Sequence, residues 1–510
     1  MNSSKQIKYG AVISYVLIAL NIVLGLVYTP WILREIGSSH YGLYTLGTTS
    51  ISLFTLDFGI GAAVTRFVAK YRAENNQEEM NEFLGVVLKI YFLIMIIISI
   101  VLFFVFYNID FIYANLTVEE ISIFKIVYTM MAFFIVLCFP VNICNGVLNA
   151  YEQFIILKGS NVFNKLGTAI VSIVILLLHG GLYGLVLVNG IFNLVTFIIK
   201  FYFCYRYTNA RPKFVSNYRT FGREFFSYSM WTTILNMSQR LIFNIMPTVL
   251  AMVTNTMAIT LYGFANSIEG YVYTITTAMH GLFLPRLSKI VVDNNNSTSG
   301  VLSLMIRVGR INHSVAMLLL MGVTILGQEF VELWVGAEYL DLYYCILALA
   351  YPYFISASQQ IAANTLVVVN KVKYSAIITA IIGLVNIVSA YIVAPRYGII
   401  GVCVSTGLLM FVRIVVMNIV YYRELHINLV IFFKECQIKL LPALIISGLL
   451  SKISIDLLFY LVISNELTWG GLVLKAIIIC IIYLITMWLI GWNDYEKKIL
   501  CSFIVERKKR

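Results

Sequence analysis

The chain is poor in charge and in the motifs of catalysis. Asp, Glu, Lys and Arg make up only 12% of its 510 residues. It has no Asp-x-Asp pair, no glycine-rich phosphate loop and no His-Glu-x-x-His pattern, and its five histidines are scattered. The connections between its apolar segments are short, which leaves no room for a soluble catalytic domain. We therefore do not expect an enzyme.

The cysteines and the N-terminus also lack familiar signatures. The eight cysteines show no Cys-x-x-Cys or Cys/His ligand spacing, and most fall within or beside apolar segments. We expect neither a disulfide framework nor a metal site or other bound cofactor. Lys5 and Lys8 precede an apolar stretch far longer than the core of a signal peptide, so this stretch predicts a first membrane helix.

Long apolar runs are what the chain has in abundance. Hydrophobic residues make up 60% of it and the mean hydropathy is +0.88. A bilayer crossing needs about 20 apolar residues, and we count about fourteen such segments. Lipid cannot satisfy backbone polar groups, and the segments are too long for barrel strands. The fold class is therefore an all-α polytopic membrane protein. The predicted spans are 9–33, 41–65, 83–107, 121–148, 160–178, 182–206, 226–252, 257–284, 303–327, 342–368, 374–394, 398–422, 439–461 and 471–490.

Basic residues follow a regular alternation between the connections. One set of connections is basic, for example at Lys70 and Arg72 and again between Arg206 and Arg223, whereas the alternate set is nearly bare of Lys and Arg. Positive loops are retained in the cytoplasm, so we place both termini there. The same distribution explains the formal charge of +12 without any nucleic-acid partner.

Two internal matches link segments six helices apart. At an offset of 217, residues 181–206 align their glycines with those of 398–423, and at an offset of 221 Tyr41-Gly42 falls on Tyr262-Gly263. This spacing predicts two parallel repeats, although close helix packing alone also produces short glycine matches. The predicted parts are an N-terminal six-helix lobe (1–206), a cytoplasmic linker (207–225), a C-terminal six-helix lobe (226–423), two additional helices (424–492) and a basic cytoplasmic tail (493–510).

Polar residues recur on single faces of several predicted helices. Spacing of three or four residues aligns Tyr262, Asn266, Glu269 and Tyr273 on the eighth helix. A similar face on the seventh helix includes Asn236, Arg240 and Asn244, and Asn21 belongs to a sparser series on the first. Such faces favour a water-filled cavity, but hydrogen bonds between helices of a dry bundle remain the alternative.

Charges at mid-depth are costly and usually retained for a reason. For Arg240 and Glu269, a structural ion pair and a direct ligand role both remain open. Residues nearer the cytoplasmic ends, such as Lys165, can be snorkelling anchors or substrate contacts, and we expect Arg307 and Arg310 to be solvated. The mid-depth charges are Asp57, Arg240, Glu269 and Arg413, and those nearer the ends include Arg66, Lys165 and Arg286.

Short motifs in both lobes resemble a known family. The stretches Tyr41-Gly42-Leu43-Tyr44 and Asp57-Phe58-Gly59 resemble the opening of bacterial polysaccharide-biosynthesis membrane proteins, and Phe283-Leu284-Pro285-Arg286-Leu287-Ser288 resembles their second-lobe counterpart. These proteins are lipid-linked oligosaccharide flippases of the multidrug/oligosaccharidyl-lipid/polysaccharide exporter superfamily.

The resemblance implies a function in surface glycan assembly. It implies export of a polyprenyl-diphosphate-linked oligosaccharide through the bacterial cytoplasmic membrane, for O-antigen, capsule or another glycan, with a glycan polymerase or glycosyltransferases as partners. Arginine binds phosphate through a planar fork of donors. The diphosphate contacts that the resemblance implies are Arg240, Arg413, Arg66 and Arg286. The implied sugar contacts are Tyr262, Tyr273, Asn236, Asn244 and Asn266. The implied residues for coupling to Na⁺ or H⁺ are Asp57 and Glu269.

Alternatives remain open at this stage. Some relatives carry an acidic residue in the seventh helix where this chain has Arg240 and Asn244, so the membrane potential is the alternative to ion coupling. A drug or cation exporter of the same superfamily is the second function, and a more acidic binding lobe would be typical of it. A membrane glycosyltransferase or glycan polymerase is the third.

Overall fold

The described part of the protein is helical. A computed structural model describes residues 3–53, 59–214, 222–277, 287, 290, 300–369, 371–461 and 467–498, and in these ranges it contains no β-strand. The all-α prediction is confirmed. The first helices are α1 (Ser3–Ser52), α2 (Ile60–Ala73), α3 (Gln77–Tyr107), α4 (Ile109–Ile112), α5 (Val118–Cys138), a 3-10 turn (Phe139–Asn142), α6 (Ile143–Ala150), α7 (Phe154–Leu177), α8 (Gly181–Tyr207), α9 (Gly222–Phe243), α10 (Met246–Val253) and α11 (Thr256–Thr277).

The second part of the chain continues the pattern of long helices interrupted by short ones. Its elements are α12 (Val301–Trp334), a 3-10 turn (Ala337–Tyr339), α13 (Asp341–Ala350), α14 (Tyr353–Ser356), a 3-10 turn (Ala357–Gln359), α15 (Gln360–Val368), α16 (Val372–Leu425), α17 (Leu429–Cys436), a 3-10 turn (Ile438–Leu440), α18 (Leu441–Leu461), α19 (Trp469–Thr486) and a π-helical turn (Met487–Gly491).

Nine helical stretches in the described ranges are long and apolar enough to cross a membrane. One of them, α16, has 54 residues. As a straight helix it would be about 81 Å long, against about 30 Å of hydrocarbon. It is divided at Gly398, whose φ of 59° and ψ of −152° are not helical, and α1 is divided at Gly37 in the same way. The protein is a multi-pass membrane protein, and the count of fourteen spans stays a prediction.

The seventh and tenth predicted spans are broken helices. The seventh consists of α9 and α10, with a break at Asn244 and Ile245 just before Pro247, and the tenth is interrupted at Pro352 between α13 and α14. Proline lacks the backbone N–H that continues a helix and clashes with the preceding turn. The breaks leave α9 with 22 residues and divide the tenth predicted span into pieces of 10 residues or fewer.

The glycines of the internal repeat occupy equivalent local positions. Gly181 and Gly398 both have positive φ, 56° and 59°, at the start of the sixth and twelfth predicted helices. A Cβ on Gly190 would overlap the Phe134 ring of the fourth predicted helix, and a Cβ on Gly407 would overlap the Ala348 carbonyl of the tenth. These shared positions support the repeat, because a turn and a helix contact recur at the same offset.

The chain forms two compact units. The first unit comprises Met1–Gly263 and Thr379–Ile399, and the second comprises Phe264–Ile378 and Ile400–Arg510. In the first, α1, α7 and α8 pack against one another, and α5 packs on α1 and α8. The six-helix lobes, linker, additional helices and tail defined from the sequence stay a prediction.

Helix α12 lies in the core of the second unit. Its residue Met305 belongs to one buried apolar cluster and Met317 to another. Arg310 lies between them on the same helix and is buried in an ion pair with Glu496. The expectation that Arg310 is solvated was therefore wrong, because its charge is compensated inside the protein, whereas Arg307 is exposed.

Candidate functional site

A polar cavity lies among helices α1, α5, α6, α7 and α8 of the first unit. Its volume is about 390 Å³, within the range of about 300 to 1,000 Å³ that is typical of small-molecule sites. We call it the amide cavity, because asparagines dominate its polar lining. Its polar lining residues are Asn21, Asn142, Asn145, Asn161, Asn164, Lys165, Asn193, Thr196 and Lys200.

Hydrogen bonds fix the positions of several cavity side chains. Asn164 Nδ2 donates to Asn193 Oδ1 at 3.1 Å and to Thr196 Oγ1 at 3.0 Å, which joins α7 to α8. Lys200 Nζ donates to Asn161 Oδ1 at 2.9 Å across the same pair of helices. This network holds the amide groups in place on two packed helices before any ligand arrives.

The charge in the amide cavity is of one sign. Lys165 and Lys200 belong to the lining, and among the described residues that line the cavity none is Asp or Glu. Lys165 has no hydrogen-bond or ion-pair partner in the described part of the chain. Cations that are partly withdrawn from water and lack a carboxylate attract anions. The cavity can therefore hold an anionic group beside a set of amide donors and acceptors.

Sequence reasoning found only part of this cavity. Asn21 was recognised in a polar series and Lys165 was considered as an anchor, but the other polar lining residues were missed. A readable pattern existed on the sixth predicted helix, where Asn193, Thr196 and Lys200 are spaced by three and four residues. These three residues therefore share one face of that helix, as the polar residues of the seventh and eighth predicted helices do.

A second polar group lies in the second unit and includes three predicted residues. Glu269 is 6% exposed and accepts a hydrogen bond from the Tyr353 hydroxyl. The rings of Tyr353 and Tyr273 lie 5.9 Å apart, centre to centre. Arg413 is close enough to act electrostatically on both tyrosines. The structure thus brings Glu269, Tyr273 and Arg413 together, and it adds Tyr353, which the sequence did not single out.

Arg240 and Asn244 lie together in the first unit, where both contact the end of α1. The Arg240 guanidinium donates to the Ser52 carbonyl, and Asn244 Nδ2 donates to Ser52 Oγ at 3.0 Å. Nearby, the hydroxyls of Ser50 and Thr248 are 2.9 Å apart. These bonds tie the seventh predicted helix to the second, so Arg240 has at least one contact that belongs to the fold.

The remaining predicted residues are dispersed. Arg66 on α2 and Asn236 on α9 are exposed, Asn266 is half-buried and Tyr262 is buried. Asp57 and Arg286 lie outside the described residues, so the structure says nothing of them. In the described ranges, no group of three or more His, Cys, Asp or Glu residues could hold a metal ion.

Comparisons with known proteins agree with this architecture. Residues 8–291 match the sequence profile of the family described as "Polysaccharide biosynthesis protein". No curated protein sequence matches the chain.

Solved structures with a similar fold include a flippase and multidrug transporters. The chain is similar to the lipid II flippase MurJ in an inward closed conformation, with 14% identity and a TM-score of 0.66 over 96% of this chain and 98% of that one. It is similar to an inward-facing multidrug resistance MATE family transporter of the MOP superfamily, with 14% identity and a TM-score of 0.67 over 80% and 94%. The MATE multidrug transporter DinF-BH is similar with 14% identity and a TM-score of 0.57 over 82% and 95%. At such identities the likeness shows the fold alone.

Proposed function

Because this chain belongs to the polysaccharide biosynthesis protein family, we propose that it is a flippase for a polyprenyl-diphosphate-linked oligosaccharide. It carries this cargo by alternating access through the bacterial cytoplasmic membrane, with both termini in the cytoplasm, for the assembly of O-antigen, capsule or another surface polysaccharide. The similar structures reported above support this proposal, because one is a flippase of lipid II and the others are transporters.

The amide cavity is the observation that carries the proposal. A lipid-linked oligosaccharide presents sugar hydroxyls and an anionic diphosphate to the protein. Asparagine side chains donate and accept hydrogen bonds and so match hydroxyls, while Lys165 and Lys200 match the anion. A membrane protein without polar cargo would have little reason to keep such a lining among helices that cross lipid.

The second unit supports a second candidate function, namely drug or cation export. Glu269 is a buried carboxylate beside two tyrosines, and a cationic cargo would favour such a group. The acid-free lining of the amide cavity, as far as the described residues show it, favours the anionic cargo instead. In the proposed flippase, Glu269 serves coupling to a proton or sodium ion, and the membrane potential is the alternative driving force.

A transport assay separates these functions. Purified protein is reconstituted into liposomes that contain a polyprenyl-diphosphate-linked N-acetylglucosamine, and an added galactosyltransferase labels only the sugars exposed on the outer leaflet. In empty liposomes the inner-leaflet pool stays unlabelled. We expect the protein to make that pool accessible, and we expect no uptake of a cationic dye by the same vesicles.

Variants and products complete the test. Arg240→Ala and Arg413→Ala are expected to slow labelling of the inner pool while each protein still elutes as a folded monodisperse species. Dye uptake without sugar movement would establish the drug exporter, and glycan extension in the absence of the added enzyme would establish a glycosyltransferase. Full transport by both variants would remove these two arginines from the mechanism.

A further inference from the structure

The two lysines of the amide cavity are in different situations. Lys200 is held by Asn161 at 2.9 Å, while Lys165 has no hydrogen-bond or ion-pair partner among the described residues. They project from the adjacent helices α7 and α8 into the same space. One ammonium is thus positioned by the protein and the other remains available to a ligand.

Both lysines lie well inside their helices. Lys165 follows the start of α7 at Phe154 by eleven residues, about 16 Å along the axis at 1.5 Å per residue. Lys200 precedes the end of α8 at Tyr207 by seven residues, about 10 Å. Snorkelling brings a lysine head to the interface only near a helix end. The position of Lys165 near the middle of α7 therefore favours a partner inside the cavity over a role as a topology anchor.

The lining around the lysines selects the chemistry of that partner. Asn164, Asn193 and Thr196 form a hydrogen-bonded row beside Lys165, and Asn142 and Asn145 face the same cavity from the fourth predicted helix. Amides and a hydroxyl offer both donors and acceptors, which suits the alternating hydroxyls of a sugar. A volume of about 390 Å³ is small for an oligosaccharide and suits a terminal sugar with one charged substituent.

We propose that the amide cavity is a binding site for a sugar unit that carries an anionic group, with Lys165 in direct contact with that group and Lys200 supporting it. The anion is either the phosphate at the reducing end of the glycan or the carboxylate of a uronic acid. This assignment rests on the proposed function and makes it more specific, because it places recognition of the cargo within the first unit.

Binding in detergent tests the site without transport. The full-length protein is titrated calorimetrically with glucose 1-phosphate, glucuronate, glucose and inorganic phosphate. We expect one of the two sugar anions to bind more tightly than either glucose or inorganic phosphate, and the tighter one identifies the source of the charge. If inorganic phosphate binds as tightly as both sugar anions, or if none binds, the assignment of a sugar site is wrong.

Substitutions locate the contact. Lys165→Gln should weaken binding of the preferred sugar anion about tenfold, as expected for loss of one charge-assisted hydrogen bond, while Lys165→Arg should retain most of it. Lys158→Gln is the matched control, because Lys158 lies on the same helix and does not line the cavity. Equal binding by Lys165→Gln and Lys158→Gln would overturn the contact. If glucose 1-phosphate is the preferred anion and Lys165→Gln still moves the polyprenyl-diphosphate-linked N-acetylglucosamine at the normal rate, the inference fails while the proposed function stands. If glucuronate is preferred, the same comparison uses a lipid-linked glycan that carries a uronic acid.

Discussion

The buried ion pair between Arg310 and Glu496 should make a large contribution to the stability of the second unit. Arg310 Nε lies 2.5 Å from Glu496 Oε1, and Arg310 Nη2 lies 3.1 Å from Oε2. The guanidinium also donates to the carbonyls of Glu435 at 2.6 Å and Gly491 at 2.8 Å. The two side chains are only 6% and 4% exposed. Water therefore cannot replace a partner that is removed.

The geometry sets the expected cost of Glu496→Ala. Removing one partner of a buried pair costs about 3 to 5 kcal/mol, because the other charge stays buried without compensation. Two carbonyl acceptors remain on Arg310, which favours the lower end of that range. The Glu496 carboxylate also accepts a hydrogen bond from the backbone N–H of Asn493 at 2.9 Å. Losing this bond adds about 1 kcal/mol to the cost in unfolding free energy. We expect a total loss of about 4 kcal/mol.

Reversible unfolding in mixed micelles of dodecyl maltoside and sodium dodecyl sulfate measures this loss, with tryptophan fluorescence as the signal. Lys439→Ala is the control, since its pair with Glu435 is 53% and 36% exposed and should contribute less than about 1 kcal/mol. The double variant Arg310→Met with Glu496→Met should be less destabilised than Glu496→Ala, because no unpaired charge remains. If Glu496→Ala costs no more than Lys439→Ala, the buried pair does not carry the stability assigned to it.

Two further predictions concern the polar group of the second unit and the repeat glycines. Glu269→Gln should abolish any dependence of transport on a proton or sodium gradient, whereas Tyr353→Phe should keep that dependence at a lower transport rate. If transport in proteoliposomes of Glu269→Gln depends on the gradient as before, Glu269 has no role in coupling. Gly407→Ala should cost about 1 to 3 kcal/mol in the same micelle titration, because its Cβ meets the Ala348 carbonyl, which cannot rotate away. Gly190→Ala should cost less, because its Cβ meets a phenyl ring that can shift, and the opposite order would contradict this account.

The helical architecture was predictable because lipid leaves the backbone few choices. Hydropathy and the internal match gave the all-α fold and the offset at which Gly181 corresponds to Gly398, and both glycines have positive φ. The interruption at Pro352 was also readable in principle, since proline lacks a backbone N–H and clashes with the preceding turn of a helix. The break at Asn244 and Ile245 was readable in the same way, because Pro247 follows it closely.

The candidate site was predictable only in part, because side-chain partners depend on packing between distant segments. Glu269 and Tyr273 were recognised from their spacing, but Tyr353 reaches Glu269 from a segment 84 residues away. Likewise, Asn164 was missed although it bonds to Asn193 on the next helix. A polar residue in an apolar helix is visible in the sequence, whereas the cavity that several of them share becomes visible only when the helices are packed.

Cations inside apolar helices look alike in the sequence, and their partners in the fold distinguish their roles. Arg310 donates to a carboxylate and two carbonyls, and Arg240 donates to the Ser52 carbonyl. Guanidinium suits such positions because its planar fork of donors satisfies several fixed acceptors at once. Lys165 is instead a compact charge on a flexible stem, held by none of the described residues. A flippase must release what it binds, so a cation that the fold does not need is better suited to transient contact with cargo. We therefore expect the anion contact at Lys165 in the amide cavity more strongly than at the arginines.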